Sequence, residues 1–480
     1  MAKHNTKIAK KTTILRGLDP KKAGIDVGAS SVFVCVCDSQ GQREVREYST
    51  FTRDLKSMAD WLKKLGVESI AMESTGIYWI PVFEILDPMK FEVLLVNAHH
   101  LKNVPGRKTD VKDSEWIQQL HSHGLLRGSF RPSDDFVCLR SYVRQRRQLF
   151  ERASIHIQLM HKALVQMNVQ MHLAVSDITG KTGLLIVQAI LRGERDPMQL
   201  ASYRQGGCKK NKEEIAKALE GNWRDEHIFS LRQAYEAYEF YHKQIMECEE
   251  VIHRVIPMLT PPEFSILPPD WSPQGSQWEP FHVAEDQPVR NKSPQKKTSY
   301  NRSPYHFNAA QQVQQICKGI DLTQIPGIDA NTLLVVISEI GTDMSKWKTV
   351  KHFTSWLGLC PGSKISGGKV LSSKTKPTNN RAAHALRLAA NSLFRSQTAI
   401  GAFFRRLRSR LGAPKAITAA AHKLARTIYR MLKYGKSYKD LGADYYDKIY
   451  KERVLSNLER KAEEFGYQLV PFPLEPILQT

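Results

Sequence analysis

Four carboxylates in the first quarter of the chain have types and spacing that could do chemistry together. Asp26 closes a strand-like run with Gly24 and Gly28 beside it, Glu73 closes a later run in ESIAMES, and KTDVKDSEW sets Asp110 and Asp113 three residues apart. On a helix that spacing puts both acids on one face, a turn apart. Acids at the tips of two strands, with a pair on a following helix, can converge on the rim of a sheet where α/β folds bind ligands. Converging carboxylates repel unless a cation lies between them, and an oxygen-only set selects Mg²⁺ or Mn²⁺. Two such ions can clamp the attacking and leaving oxygens of a phosphodiester displacement. Each acid alone has a plainer reading: Asp26 as a turn residue, Glu73 as a helix cap, Asp110 as an N-cap. As a set in a basic chain, Asp26, Glu73, Asp110 and Asp113 read as metal ligands.

A second candidate is the stretch PGSKISGGKV at 361–370. Lys364, Gly367, Gly368 and Lys369 resemble a phosphate cradle, and Ser366 is either part of it or the group that attacks. A serine hydroxyl is a weak nucleophile until something lowers its pKa or takes its proton. Lysines and a metal-polarised phosphate would supply the first, and the two glycines would let a phosphodiester come close to the backbone. Ser363 is the near competitor, with Ser372 and Ser373 further away, and a structural Gly-Ser loop stays open on chemistry alone. The surroundings favour phosphate. From 361 to 436 there are 17 Lys or Arg, among them Lys374, Lys376, Arg381 and Arg387, and no Asp or Glu. A solvated face mixes signs, so a carboxylate-free stretch of this length is better explained by a polyanion lying on it.

The elements that must position these residues fall into regions. AGIDVGASSVFVCVCDSQGQ from Ala23 predicts two strands and turns, REVREYSTF continues a meander, and ESIAMES and FEVLLVNA are further strands separated by the helical TGIYWIPVFEIL. Strands interleaved with helices give an α/β domain. Cys35 and Cys37 share one face of the second strand by period-two alternation. Beyond it, Phe150, Ala153, Ile157, Met160, Leu164 and Met167 form a helical seam. Ile228, Leu231, Tyr235, Tyr238, Ile245 and Ile252 form another, interrupted by His242 and Glu249. Seams of this kind make an antiparallel hairpin or a coiled coil with a partner chain. Residues 261–306 are rich in Pro, Ser, Asn and Gln and read as an insertion or linker, with Trp271, Trp278, Phe281 and Tyr305 as anchors or base-stacking groups. LTQIPGIDANTLLVVISEIG at 322–341 spells a tight turn entering an apolar helix, as a helix-hairpin element does.

The whole chain bounds the class. At 480 residues it divides into several domains, and its net charge of +22 calls for a polyanionic partner, nucleic acid first. No apolar run is long enough to span a membrane, and the basic start lacks the apolar stretch of a signal peptide, so the expectation is a cytoplasmic, nucleoid-associated protein. Seven scattered cysteines offer no zinc spacing.

GIDVG, AMESTGIYW and KTDVKDSEW, in this order and spacing, resemble the Asp-Glu-Asp-Asp set of the RuvC-like domain in the IS-one-ten insertion-sequence transposases. IPGIDANTLLVVISEIG, FTSWLGLCPGSKISGGKV and NNRAAHALRLAAN resemble the transposase domain of the same family. The likeness covers roughly residues 22–180 and 320–440. It implies a basic arm (1–21), an RNase H/RuvC-like mixed-sheet domain (22–135), coiled-coil helices (136–260), the insertion (261–306), a mostly helical transposase domain (307–445) and a C-terminal tail (446–480). It further implies a recombinase guided by a structured bridge RNA whose loops pair with target and donor DNA, working as a tetramer through the coiled coil. Asp26, Glu73, Asp110 and Asp113 would then hold Mg²⁺ or Mn²⁺, and Ser366 would form a covalent 5′-phosphoserine link. The chain departs from the family where VLSSKTKPTNN replaces further glycines, and 261–306 maps onto no part of its core. A DNA invertase or Holliday-junction nuclease, or a non-catalytic nucleic-acid scaffold, are the alternative readings.

Overall fold

The computed structural model describes residues 18–74, 76–97, 110–264 and 305–470. The chain divides into two compact units, one to Arg131 and one from Pro132. The first is a five-stranded sheet in the order β3-β2-β1-β4-β5. Its elements are β1 (Lys22–Val27), β2 (Ser31–Cys37), β3 (Arg43–Ser49), α1 (Thr52–Lys64), β4 (Ser69–Glu73), α2 (Trp79–Leu86), β5 (Glu92–Val96) and α3 (Asp110–Ser122). β1, β2 and β3 form an antiparallel meander, while β4 and β5 add in parallel to β1. This mixed sheet is consistent with a RuvC-like fold.

Alternation sorts the strands onto two faces. Ala23, Ile25, Val32, Val34, Ile70 and Met72 point into the main core, where α1 contributes Leu55, Met58 and Leu62 and α2 contributes Val82 and Leu86. The opposite face meets α3, where Ala71 and Val96 pack with Ile117 and Leu120. Cys35 and Cys37 share a strand face as expected, and Gln118 Nε2 on α3 lies 3.2 Å from Cys37 Sγ. The helix comes unusually close. A Cβ on Gly24 would sit 2.4 Å from the Ser114 carbonyl oxygen and 2.3 Å from the Gln118 nitrogen.

The second unit is helical, apart from one hairpin. α4 (Asp134–Gln166) and α5 (Asp225–Met258) are its long members, with short helices Lys181–Leu191 and Lys212–Ala218 among the pieces between them. Cys248 lies 3.3 Å from the Tyr142 carbonyl and His156 stacks on Tyr241, so the two helices pair antiparallel within one chain. Ala153, Met160, Leu164 and Met167 are buried as the seam requires, but Phe150 is 54% exposed and Leu149 takes the inward place. Glu249 interrupts the second seam because it is bonded there. Arg146 reaches it at 2.6 Å, and the His306 backbone N–H and ring Nδ1 approach at 2.9 and 2.8 Å. Arg146 also lies 3.8 Å over the ring of Tyr305, which is 6% exposed. Trp271, Trp278 and Phe281 fall outside the described residues, as does most of the basic arm.

After the short helix Ala309–Ile316 come α6 (Ala330–Ile340), the strands β6 (Lys364–Ser366) and β7 (Lys369–Ser372), then α7 (Arg381–Ser392), α8 (Ala399–Leu411), α9 (Ala413–Tyr434) and α10 (Gly442–Glu464). Asp329 caps α6 by accepting from the Thr332 N–H at 2.7 Å. The I-P-G-I turn before it packs on α7, since a Cβ on Gly327 would lie 2.8 Å from the Ala389 carbonyl oxygen. α10 docks through Tyr446 and Tyr450, the latter under the Arg406 guanidinium at 3.5 Å. Among the described residues no helix is long and apolar enough to cross a membrane.

Gly24→Ala should destabilise the first unit by about 1–3 kcal/mol, because backbone atoms of α3 cannot make room for a methyl group. Thermal denaturation checks this against Gly206→Ala, whose Cβ would meet nothing within 4 Å. The first variant is expected to melt lower and the second to melt as wild type.

Candidate active site

The first unit collects carboxylates at one end of its sheet. Ile25 pairs with Met72 in parallel register, so the next step along both strands sets Asp26 beside Glu73. Neighbouring strands run about 4.8 Å apart. Gly24 faces α3, and Asp26, two residues on, shares that face; Ala71 and Glu73 are related in the same way.

The direction of α3 settles where its own acids lie. Gln118 Nε2 reaches the Lys22 carbonyl at 3.4 Å, and His121 Nε2 lies 2.9 Å from Ser69 Oγ, so the helix C-terminus covers the start of β1 and β4. From His121 back to Asp113 is about 12 Å of helix. From Ser69 to Glu73 is about 13 Å of strand. Asp113 therefore stands level with Glu73, and Asp110 begins the helix one turn further out, its side chain outside the described residues. Glu73 is 8% and Asp113 7% exposed, and Asp26 is half-buried. Burial pushes the His121 imidazole below its usual pKa, with the Lys22 charge adding to the effect.

An oxygen-only donor set at the carboxyl ends of two parallel strands suits a hard divalent cation. Among the described residues, however, no three His, Cys, Asp or Glu side chains gather closely enough to hold a metal ion. The chain places three acids on one face at one level. Closing them around a cation calls for side-chain adjustment or the fourth acid.

Ser366 lies in the second unit, on a β-hairpin. Ile365 pairs with Val370 and Ser366 with Lys369 around a two-residue turn. Gly367 and Gly368 have φ of 54° and 77°, the positive pair that a type I′ turn demands. Gly362 N–H donates to the Lys374 carbonyl at 2.9 Å and closes the base. Because paired residues share a face and neighbours alternate, Ser366 and Lys369 line one side of the ribbon while Ile365 and Val370 line the other, and the register shifts between Ile365 and Lys364, which pairs with Ser372. All of them but Ser372 are exposed. Ser363 precedes the strand, Ser372 closes β7 and Ser373 follows it. Lys374 and Lys376 continue from the ribbon as exposed cations, Arg381 opens α7, and Arg387 Nη2 lies 3.5 Å from the Gly358 carbonyl. No carboxylate occurs in this stretch to serve as a local base.

Sequence reasoning missed two features of these sites. Gly24 was noticed as a neighbour of Asp26, whereas its missing side chain is what lets α3 approach. Arg144 and Arg147 on α4 face α7, and the run RQRR at 144–147 was their only signal.

A family model described as a transposase matches residues 23–169. A second, described as a transposase of the IS116/IS110/IS902 family, matches residues 321–405. No curated protein matches the chain. The first match contains all four acids and the second contains the hairpin with Ser366.

Alanine at both Gly367 and Gly368 should loosen the hairpin without unfolding the unit, since the cost of positive φ, about 1 kcal/mol at each, falls on an exposed ribbon. Limited trypsin digestion reads this at Lys364 and Lys369. The double variant is expected to be cut faster there while its melting temperature stays at the wild-type value.

Proposed function

Because the chain belongs to the IS116/IS110/IS902 family of transposases, we propose that it is the RNA-guided recombinase of an insertion sequence, cutting and rejoining DNA through Ser366. The observation that carries the reading is that each unit bears one of two chemically complementary sites. Asp26, Glu73 and Asp113 share one face and level of the sheet, and Ser366 stands on the cationic face of an exposed hairpin. Asp26, Glu73, Asp110 and Asp113 would hold Mg²⁺ or Mn²⁺, which when bound supplies Lewis-acid polarisation of a scissile phosphate.

The chain's own residues do the rest. Lys364 and Lys369 hold the phosphate against the hairpin and offset its charge. Ser366 Oγ attacks phosphorus, the bond to the 3′ oxygen breaks, the serine hydroxyl proton passes to water, and the departing 3′ oxygen takes a proton from water in return. The products are a 5′-phosphoserine and a free 3′-hydroxyl. The phosphodiester energy is kept in the new ester, so strands can be exchanged and rejoined without ATP. The carboxylate-free segment from 361 to 436 would lie along the donor and target duplexes, whose sequences are read by pairing with a bridge RNA. A tetramer would bring together the copies needed to exchange strands.

Ser366→Ala is expected to abolish joined products when purified protein is incubated with Mg²⁺, its element's ends and the adjacent non-coding transcript. Joining at the wild-type rate would remove Ser366 from the mechanism. Asp26→Asn should lose cleavage by about a hundredfold or more, as removal of one charged group at a phosphoryl-transfer site does, and full activity would exclude the acids as essential ligands. Sequencing RNA that co-purifies with the protein tests guidance: a transcript whose loops match the element end and the insertion site is expected.

A further inference from the structure

A groove between α4 and α7 in the second unit has no part in the chemistry above. One section, a cavity of about 420 Å³, is lined by Arg144 and Arg147 from α4 and by Arg381, His384 and Arg387 from α7. An adjoining cavity of about 240 Å³ shares Arg147, Glu151 and His384 and is walled by Phe150, Leu388 and Tyr305. The two sections differ in character. The first gathers four guanidiniums, of which Arg144 forks onto Glu339 with both bonds at 2.7 Å and Arg147 holds Glu151 at 2.9 Å. Arg381 and Arg387 are in no ion pair among the described residues. Partial burial and then the Arg144 charge push the pKa of Arg381 down, yet a guanidinium keeps its proton, so this crowding is relieved by an anion. The second section exposes flat and branched apolar surface, with Phe150 54% and Leu388 61% exposed.

We propose that this groove holds one unpaired nucleotide of a nucleic-acid strand, its phosphate among the four arginines and its base against Phe150 and Leu388. A phosphate beside an apolar, partly aromatic slot matches a nucleotide whose base has left the stack, and base-paired duplex has no such base to offer. Single-stranded RNA and single-stranded DNA share this chemistry. The inference rests on the nucleic-acid reading above but uses neither Ser366 nor the acids.

Fluorescence anisotropy of the full chain with short labelled single-stranded RNA, single-stranded DNA of the same sequence and the corresponding duplex tests it. Phe150→Ala should weaken single-strand binding about tenfold, the loss expected for one stacked base, and leave the duplex unchanged. Arg381→Ala with Arg387→Ala should weaken single-strand binding and lower its salt slope by about one charge per arginine. The RNA and DNA arms identify the strand by which of them loses more. An unchanged affinity of Phe150→Ala for every probe, or an equal loss for duplex and single strand, overturns the proposal. Ser366→Ala should bind all three probes as wild type does, so a failure of the groove and a failure of the nucleophile are separate results.

Discussion

The first unit depends on a missing side chain. With no Cβ on Gly24, the backbone of α3 rests directly on β1, closer than any other residue would permit. That contact fixes which way α3 runs and at what height, and therefore that Asp113 stands level with Glu73. The sheet alone would give two neighbouring acids on adjacent strands; the close-packed helix adds a third at the same rim and closes that face to solvent.

In the second unit the comparable constraint is electrostatic. Arg146 and Glu249 are 6% and 2% exposed, and a buried pair stabilises little unless its remaining hydrogen bonds are met. Here they are met from a third segment, since His306 donates its backbone N–H to Glu249 and Tyr305 covers the guanidinium. The network ties the chain where it returns after 261–304 to the paired helices. It also fixes the rotation of α4, so that Arg144 and Arg147 are carried round toward α6 and α7.

Much of the first unit was legible in the sequence because its signals are local. Short apolar runs bounded by turn residues, one of them alternating, marked the strands of its sheet, and KTDVKDSEW falls where the helix with Asp113 begins. What was hidden depends on approach between distant segments: nothing near Gly24 announces that Ser114 and Gln118 press on it. The seam of α4 was read with Phe150 inward because a heptad count does not know that α7 leaves an open groove beside it. Glu249 looked like a flaw in the second seam for the same reason, its partners lying 103 and 57 positions away. Ser366 was legible as a residue type, whereas the hairpin's two faces follow only from the register of Ile365 with Val370.

On the proposed reading, carrying Ser366 and the acids on different folding units resolves a conflict of charge. A carboxylate placed beside Ser366 would pair with Lys364 or Lys369, lose basicity through that pairing and repel the phosphate the lysines attract. A hairpin that is wholly cationic binds phosphate well but has no group to take up negative charge from the reaction or to hold a metal. A rim that is wholly acidic holds a metal but repels the substrate when that metal is absent. Placing the two on separate folding units keeps each site internally consistent, and makes the reaction conditional on both meeting the same phosphate. Cleavage is then tied to assembly on nucleic acid rather than to encounter with any passing duplex, which is the behaviour a recombinase needs if it is not to leave breaks unrepaired.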